Sequence, residues 1–250
     1  MSRLRAPGFA GPGPDPANVG GPDRDSADVG GPDRDVALLR LLQLFDSQFP
    51  VGAFAHSSGV ETYAALGGSL PELRQVLHAQ IDLGWGRSEL AAACLAWRAA
   101  ADLESPELDR LAVTLDALKV VPVVRDTSIG LGRRTLDLVR RLYPEAAVAI
   151  TPPHHALVVG ATARRLGVDG RDLLLAFAQS LAMGALTAAV RCMPVSPAQA
   201  QELLVEAHPR ISRAVERAMA DPEGSLFTCT PALDIRSHQQ AHLRTRLFQS

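Results

Sequence analysis

The chain has 250 residues, enough for one large domain or two small ones. Hydrophobic residues make up 47% and aromatics only 4%, so the core must be built from Leu, Ala and Val. With 25 basic and 27 acidic side chains the net charge is -2, which gives no global electrostatic reason to bind nucleic acid. Lys119 is the only lysine and lies in Leu118-Lys119-Val120. A P-loop needs Gly-Lys-Ser/Thr to cradle phosphates, so the chain is not a P-loop nucleotidase. A Schiff-base mechanism would have to use Lys119. Cys94, Cys192 and Cys229 are far apart, which argues against a thiolate zinc site or a redox pair and fits a reducing compartment. The first residues lack an apolar h-region, so no secretory signal is expected.

Residues 1–35 hold 13 Gly and Pro and a short repeat, Val19-Gly20-Gly21-Pro22-Asp23-Arg24-Asp25 and Val29-Gly30-Gly31-Pro32-Asp33-Arg34-Asp35. A repeat without an apolar stripe buries no core, so this segment reads as a disordered tail. From Val36 to Ser250 the pattern is helical. Leu38, Leu39, Leu41, Leu42 and Phe45 form a short helix stopped near Pro50-Val51-Gly52. His56 to Leu66 is a second, ended by Gly67-Gly68. Ser69 caps a long third helix, on which Leu73, Leu77, Ile81, Gly84, Ser88, Ala91 and Leu95 share a face. The small residues Gly84, Ser88 and Ala91 invite close approach of another backbone.

Further helices start at Ser105-Pro106, near Arg125, at Pro152-Pro153, at Asp169 or Gly170, at Ser196-Pro197 and at Pro209. No alternating strand of five or more residues appears. The fold class is therefore all-α: one helical-bundle-like domain of about eight to ten helices over residues 36–250. Leu173 to Val190 is 18 residues without a formal charge, which meets the length threshold for a membrane span. Its alanines contribute little to insertion. It reads as the central helix of a soluble helical protein, wrapped on all sides, with Ser180 and Gly184 as close-packing positions.

Few constellations carry chemistry. His238 and His242 share a helical face, but two ligands without a nearby carboxylate make no metal site. The adjacent His154 and His155 point about 100° apart on a helix and suit capping or core roles better than chelation. His56, with Ser57 and Ser58, has no nucleophile elbow around it. A helical enzyme using His56 or His154/His155 as acid/base stays open as the alternative to a protein that works by binding.

Two stretches are more specific. Leu41-Leu42-Gln43-Leu44-Phe45-Asp46-Ser47-Gln48-Phe49-Pro50-Val51-Gly52-Ala53-Phe54-Ala55-His56-Ser57-Ser58-Gly59-Val60-Glu61 has a Leu-rich helix leading into Pro-x-Gly-x-Phe and Ser-x-Gly-x-Glu. The end reads Thr230-Pro231-Ala232-Leu233-Asp234-Ile235, then Arg246-Leu247-Phe248-Gln249-Ser250. Between them, in order, lie Arg125-Asp126-Thr127-Ser128 with Gly132-Arg133, and Ala189-Val190-Arg191-Cys192-Met193-Pro194. Together these resemble the UreF family of urease accessory proteins over residues 37–250.

The resemblance implies an all-helical, dimeric, cytoplasmic protein without enzymatic activity, cofactor or resident metal. It implies assembly with a UreD-type protein (UreH in some organisms) and the GTPase UreG, acting as a chaperone on apo-urease during nickel insertion. Pro50 and Gly52 would turn the chain and Phe54 anchor the following loop. Glu61 would cap a helix or contact a partner. Arg125, Arg133 and Arg191 would form structural ion pairs or supply an arginine in trans to a phosphoryl-transfer site. Leu233, Ile235, Arg246, Leu247 and Phe248 would dock the UreD-type partner. The sequence departs from the family near its end: Gln240-Ala241-His242-Leu243-Arg244-Thr245 replaces the usual His, Glu, Gln and Tyr, and Val60 stands where Leu is common.

Overall fold

The helices begin where local chemistry can satisfy their free N–H groups. The Ser69 and Glu72 side chains form a reciprocal cap, as do Ser196 and Gln199. The Asp169 carboxylate accepts from the backbone N–H of Arg171 and Asp172. Prolines occupy the first turn at Pro71, Pro106, Pro122, Pro197 and Pro231, where no backbone donor is lost.

The structure is a computed structural model that describes residues 32–52, 56, 57, 59–101, 105–244, 247 and 248. In chain order the helices are α1 (Pro32–Leu44), α2 (Val60–Ala65), α3 (Leu70–Leu83), α4 (Ser88–Ala99), α5 (Pro106–Leu118) and α6 (Pro122–Leu142). They continue as α7 (His155–Arg165), α8 (Gly170–Cys192), α9 (Pro197–Ala220), the single turn α10 (Pro222–Ser225) and α11 (Pro231–Gln239). Short 3-10 turns cover Pro144–Ala146 and Gln240–His242. No strand occurs among the described residues, so the fold is all-α. Residues 1–31 of the Gly/Pro-rich segment lie outside the described residues, and α1 starts inside its expected range, at Pro32.

At the centre α4 packs along α7. Both are buried on every side: Leu90 to Ala96 on α4 and Ala156 to Ala163 on α7 are continuous buried runs. Small side chains make this contact possible. A Cβ on Gly160 would lie 2.3 Å from the carbonyl oxygen of Ala93. Around this pair, α6 packs on α7, and α8 and α9 pack on each other and on α4.

Three expectations change. The central, all-round helix is not Leu173–Val190: only 44% of the apolar window of α8 is buried, and nothing lies within 4 Å of a Cβ placed on Gly184. Alanine and glycine on α4 and α7 permit closer approach than the bulkier α8, so the smaller helices take the middle. The expected single helix from Ser69 to Leu95 is two, because the chain turns a corner at Gly84-Trp85-Gly86-Arg87. There Trp85 is buried, and a Cβ on Gly86 would strike the Ile81 carbonyl oxygen at 1.9 Å. Conversely, Pro209 starts no new helix but lies inside α9. Pro209 and the residue whose carbonyl it displaces, Val205, are solvent-exposed, while Leu203, Leu204, Ala207, Ile211, Ala214, Val215 and Ala218 form an unbroken buried stripe. Burial of that stripe outweighs the cost of about 3 kcal/mol for an internal proline.

The α4–α7 contact predicts that Gly160→Ala lowers stability by about 1–3 kcal/mol, the usual cost of overpacking a tight contact. Urea denaturation should show a lower midpoint with an unchanged slope; an unchanged midpoint would mean the two helices can move apart freely.

Candidate partner-docking site

The N-terminal motif and the C-terminal segment meet on α2. Gly59, just before α2, has φ +88°, a conformation suited to glycine. A Cβ there would lie 2.9 Å from Ser237 Oγ and 3.1 Å from Leu233 Cδ1, so the glycine also lets α11 close on α2. Thr62 Oγ1 donates to the Arg236 carbonyl at 2.8 Å, and the Arg236 guanidinium stands 5.6 Å from the centre of the Tyr63 ring. Glu61 is 5% exposed. Its carboxylate accepts from Gln240 Nε2 at 2.9 Å and from the Leu247 backbone N–H. It is therefore neither a solvated cap nor an open contact point; it fastens the C-terminal segment. Burial pushes the nearby Cys192 thiol up to about 11, with the Glu61 charge adding to the effect.

The docking residues expected at the C-terminus divide into two sets. Leu233 and Phe248 are buried, Phe248 at 5% exposure. Ile235 and Leu247 are uncovered, at 56% and 71%. Arg246 and Phe54 lie outside the described residues. Pro50 and Gly52 are exposed, and Gly52 has φ +74°. The loop they form is tied to α6, not to the C-terminus: Arg134 Nε donates to the Val51 carbonyl, and the Arg134 guanidinium lies 3.7 Å from where a Gly52 Cβ would be. Arg191 is exposed on the last turn of α8, and Arg133 is exposed on α6. Arg125 is half-buried, with Nε 4.0 Å from Asp116 Oδ1, so it sits in a loose surface ion pair.

The histidines are placed by packing. His154 is fully buried; Nδ1 lies 3.2 Å from Ser128 Oγ and Nε2 3.4 Å from Asp116 Oδ1. Burial, and then the Lys119 charge, lower its pKa. The order Ser128, His154, Asp116 is that of a hydrolase relay. Ser128, however, lies mid-way along α6, where the flanking backbone N–H groups belong to the helix, so no pair of main-chain donors awaits an oxyanion there. His155 stands edge-on to Phe177 at 5.6 Å, and burial pushes its pKa to about 4. His56 is half-buried and lowered by burial and by Arg134. The His238 and His242 rings are 6.2 Å apart, and among the described residues no group of three or more His, Cys, Asp or Glu is placed to hold a metal.

A cavity of about 180 Å³ separates the α3–α4 corner from α6 and α11. Lys119 lines it and makes an ion pair with Glu89, both nearly buried. The single lysine is thus held by a carboxylate. Neither the Lys119–Glu89 pair nor Gln240 as partner of Glu61 was anticipated. Glu61 and Gln240 are 179 positions apart, and no local spacing links them.

The site is thus a surface assembled from the two ends of an all-helical domain, with apolar side chains left uncovered beside a buried carboxylate. This is the build of a protein that presents a surface to others. The UreF family profile matches residues 70–208. The urease accessory protein UreF of Nostoc sp. (strain PCC 7120 / SAG 25.82 / UTEX 2576) is 31% identical over 218 residues, covering 85% of this chain and 95% of that protein. UreF of Actinobacillus pleuropneumoniae serotype 5b (strain L20) is 31% identical over 221 residues, 84% of this chain and 97% of its own. UreF of Haemophilus influenzae (strain 86-028NP) is 31% identical over 221 residues, 84% and 94%. The chain belongs to the UreF family of urease accessory proteins.

Two predictions follow from the contacts themselves. Glu61→Ala leaves the buried Gln240 amide and the part-buried Leu247 N–H without their acceptor and should cost about 1–3 kcal/mol. Hydrogen exchange at the Leu247 amide should accelerate; unchanged protection would show that Glu61 does not hold the segment. The second concerns pH. His155 stays neutral in the folded chain down to about 4, whereas an unfolded histidine titrates near 6.5. Between those values the unfolded state binds a proton that the folded state refuses, so stability is complete above about pH 6.5 and declines as pH falls toward 4. Denaturant midpoints measured across that window should flatten in His155→Phe.

Proposed function

We propose that this chain is a urease maturation factor that catalyses nothing itself. It joins a UreD-type (UreH) protein and the GTPase UreG to apo-urease for GTP-dependent nickel insertion, as a cytoplasmic homodimer. Nickel is the cargo of that assembly, and among the described residues no group of three or more His, Cys, Asp or Glu is placed to hold it. The observation that carries this reading is the division of the C-terminal residues. Glu61 and Leu233 fix the segment at α2, Phe248 is buried in the core, and Ile235 and Leu247 remain uncovered. A preordered segment loses less entropy on binding than a loose one. Covering an exposed leucine or isoleucine contributes about 1.5–3 kcal/mol. Ile235 and Leu247 are therefore the anchors for the UreD-type partner, and Arg246 is assigned to the same docking set. The Pro50-Val51-Gly52 loop with Phe54, together with Arg125, Arg133 and Arg191, is offered to the remaining partners. Arg133 is exposed on α6 and suits an acidic partner surface better than Arg125, which already faces Asp116. The alternative of a histidine-dependent enzyme has less to support it: His154 is fully buried against Ser128, which lies inside α6, and His155 stands edge-on to Phe177.

The test is reconstitution of urease from apo-enzyme, nickel, GTP, UreG and the UreD-type protein, with and without this chain. Activation should fall to background when the chain is omitted; equal activation would overturn the proposal, as would turnover of a small substrate by the chain alone. Leu247→Ala should weaken binding of the UreD-type protein by about tenfold in calorimetry, with helix content unchanged. Phe248→Ala is a poorer probe, since it also opens the chain's own packing.

A further inference from the structure

The geometry points to the cavity between the α3–α4 corner, α6 and α11 as a binding site for a primary alkylammonium of about four or five carbons, with its nitrogen on the Asp234 carboxylate. This goes beyond the maturation role above and does not rest on it. Size sets the first limit. A cavity of about 150 Å³ accommodates a molecule the size of benzene, and this one offers about 180 Å³. It takes a ligand of roughly five to seven heavy atoms and is too small for a nucleotide. Its walls are of two kinds. Leu118 at the end of α5 and Val124 and Leu131 on α6 present apolar surface, while α11 and its cap present Thr230, Asp234 and Ser237. A ligand with an apolar body and one polar end matches that division.

Charge decides what the polar end must be. Among the described residues the charged side chains lining the cavity are Glu89, Lys119 and Asp234. Lys119 and Glu89 touch and neutralise each other, with side-chain exposures of 9% and 12%. His155, also in the lining, is neutral above about pH 4. Asp234 is left as the unbalanced charge. Among the described residues no cation or donor is placed on its carboxyl, and burial alone acts on it, pushing its pKa up. A half-buried carboxylate without a counter-charge is costly, and an ammonium brings both the charge and three donors. Thr230 and Ser237 stand four positions before and three after Asp234, on the same side of α11, so their hydroxyls are placed to accept the remaining N–H groups. An anion is repelled by Asp234 and finds Lys119 already taken. A quaternary ammonium has no N–H to give the carboxylate.

The experiment is an amide NMR titration of the full chain at neutral pH with n-butylammonium chloride, and with n-butanol as the uncharged ligand of the same shape. Butylammonium should shift the resonances of α11 and α6 around the cavity in a saturable way, and n-butanol should bind at least about tenfold more weakly. Asp234→Asn should weaken butylammonium by about tenfold or more. Asp126→Asn, exposed on α6 outside the cavity, should bind it as the parent does. Absence of a saturable shift overturns the inference, as does equal binding of n-butanol or parental affinity in Asp234→Asn. Equal loss in Asp126→Asn also overturns it, because the amine then follows surface charge and not the cavity. Should Asp234→Asn fail to fold, Val124→Phe, which fills the cavity from α6, takes its place and should abolish the shifts; persistent binding there overturns the proposal. A lysine side chain of another protein carries the same group. Bound butylammonium retained after addition of the UreD-type protein assigns the site to a free amine, and its displacement assigns the site to a lysine of that protein.

Discussion

The contact between α4 and α7 sets the geometry of everything outside it. Two helices can be buried all round only if their side chains are small where they touch, and here the chain supplies Ala93 against Gly160. Once these helices lie that close, α6 is drawn onto α7 through a second glycine: a Cβ on Gly132 would lie 1.8 Å from the Pro153 carbonyl oxygen. The buried polar residues follow from this arrangement. His154 and Ser128 face each other because α6 and the start of α7 are held at backbone contact. An aromatic-poor sequence thus builds its core from backbone proximity and dispersion between small groups more than from large side chains.

The outer layer is joined by polar contacts of long reach. Glu61 collects donors from Gln240 and Leu247, Trp97 Nε1 donates to the Val168 carbonyl at 2.9 Å, and Arg210 meets Asp82 at 2.6 Å. Each links elements far apart in sequence. The Glu61 cluster differs from the others in that Glu61 and Gln240 are both buried, where a hydrogen bond to a carboxylate is stronger and its loss more costly. It places the C-terminal segment on the outside of α2 and leaves Ile235 and Leu247 uncovered.

Much of this was legible in the sequence, because helix starts are written locally. Ser69, Ser196 and prolines in first turns marked the helix starts and, with periodicity, the fold class. The motif residues flagged by resemblance do converge in part: Gly59 and Glu61 meet Leu233 and the C-terminal residues. What could not be read was set by tertiary packing. Pro209 continues a helix because an apolar stripe on the opposite side holds it. The corner at Gly84–Arg87 breaks a perfect periodicity because Trp85 turns inward. The hydrophobicity of Leu173–Val190 drew attention to the wrong centre, since side-chain size, not apolarity, decides which helices can be enclosed. Pairings such as Lys119 with Glu89 leave no trace in local spacing.

The meeting of Glu61 with Leu247 also has a temporal meaning. A ribosome must add 186 residues after Glu61 before that contact can exist. The helical body, whose main contacts are complete by α9, is free to form earlier. The surface made of both ends is therefore the last part to appear, and a nascent or prematurely stopped product carries the scaffold without it. Such a product offers other molecules no finished face to engage, so the contact itself reports that translation has passed Leu247.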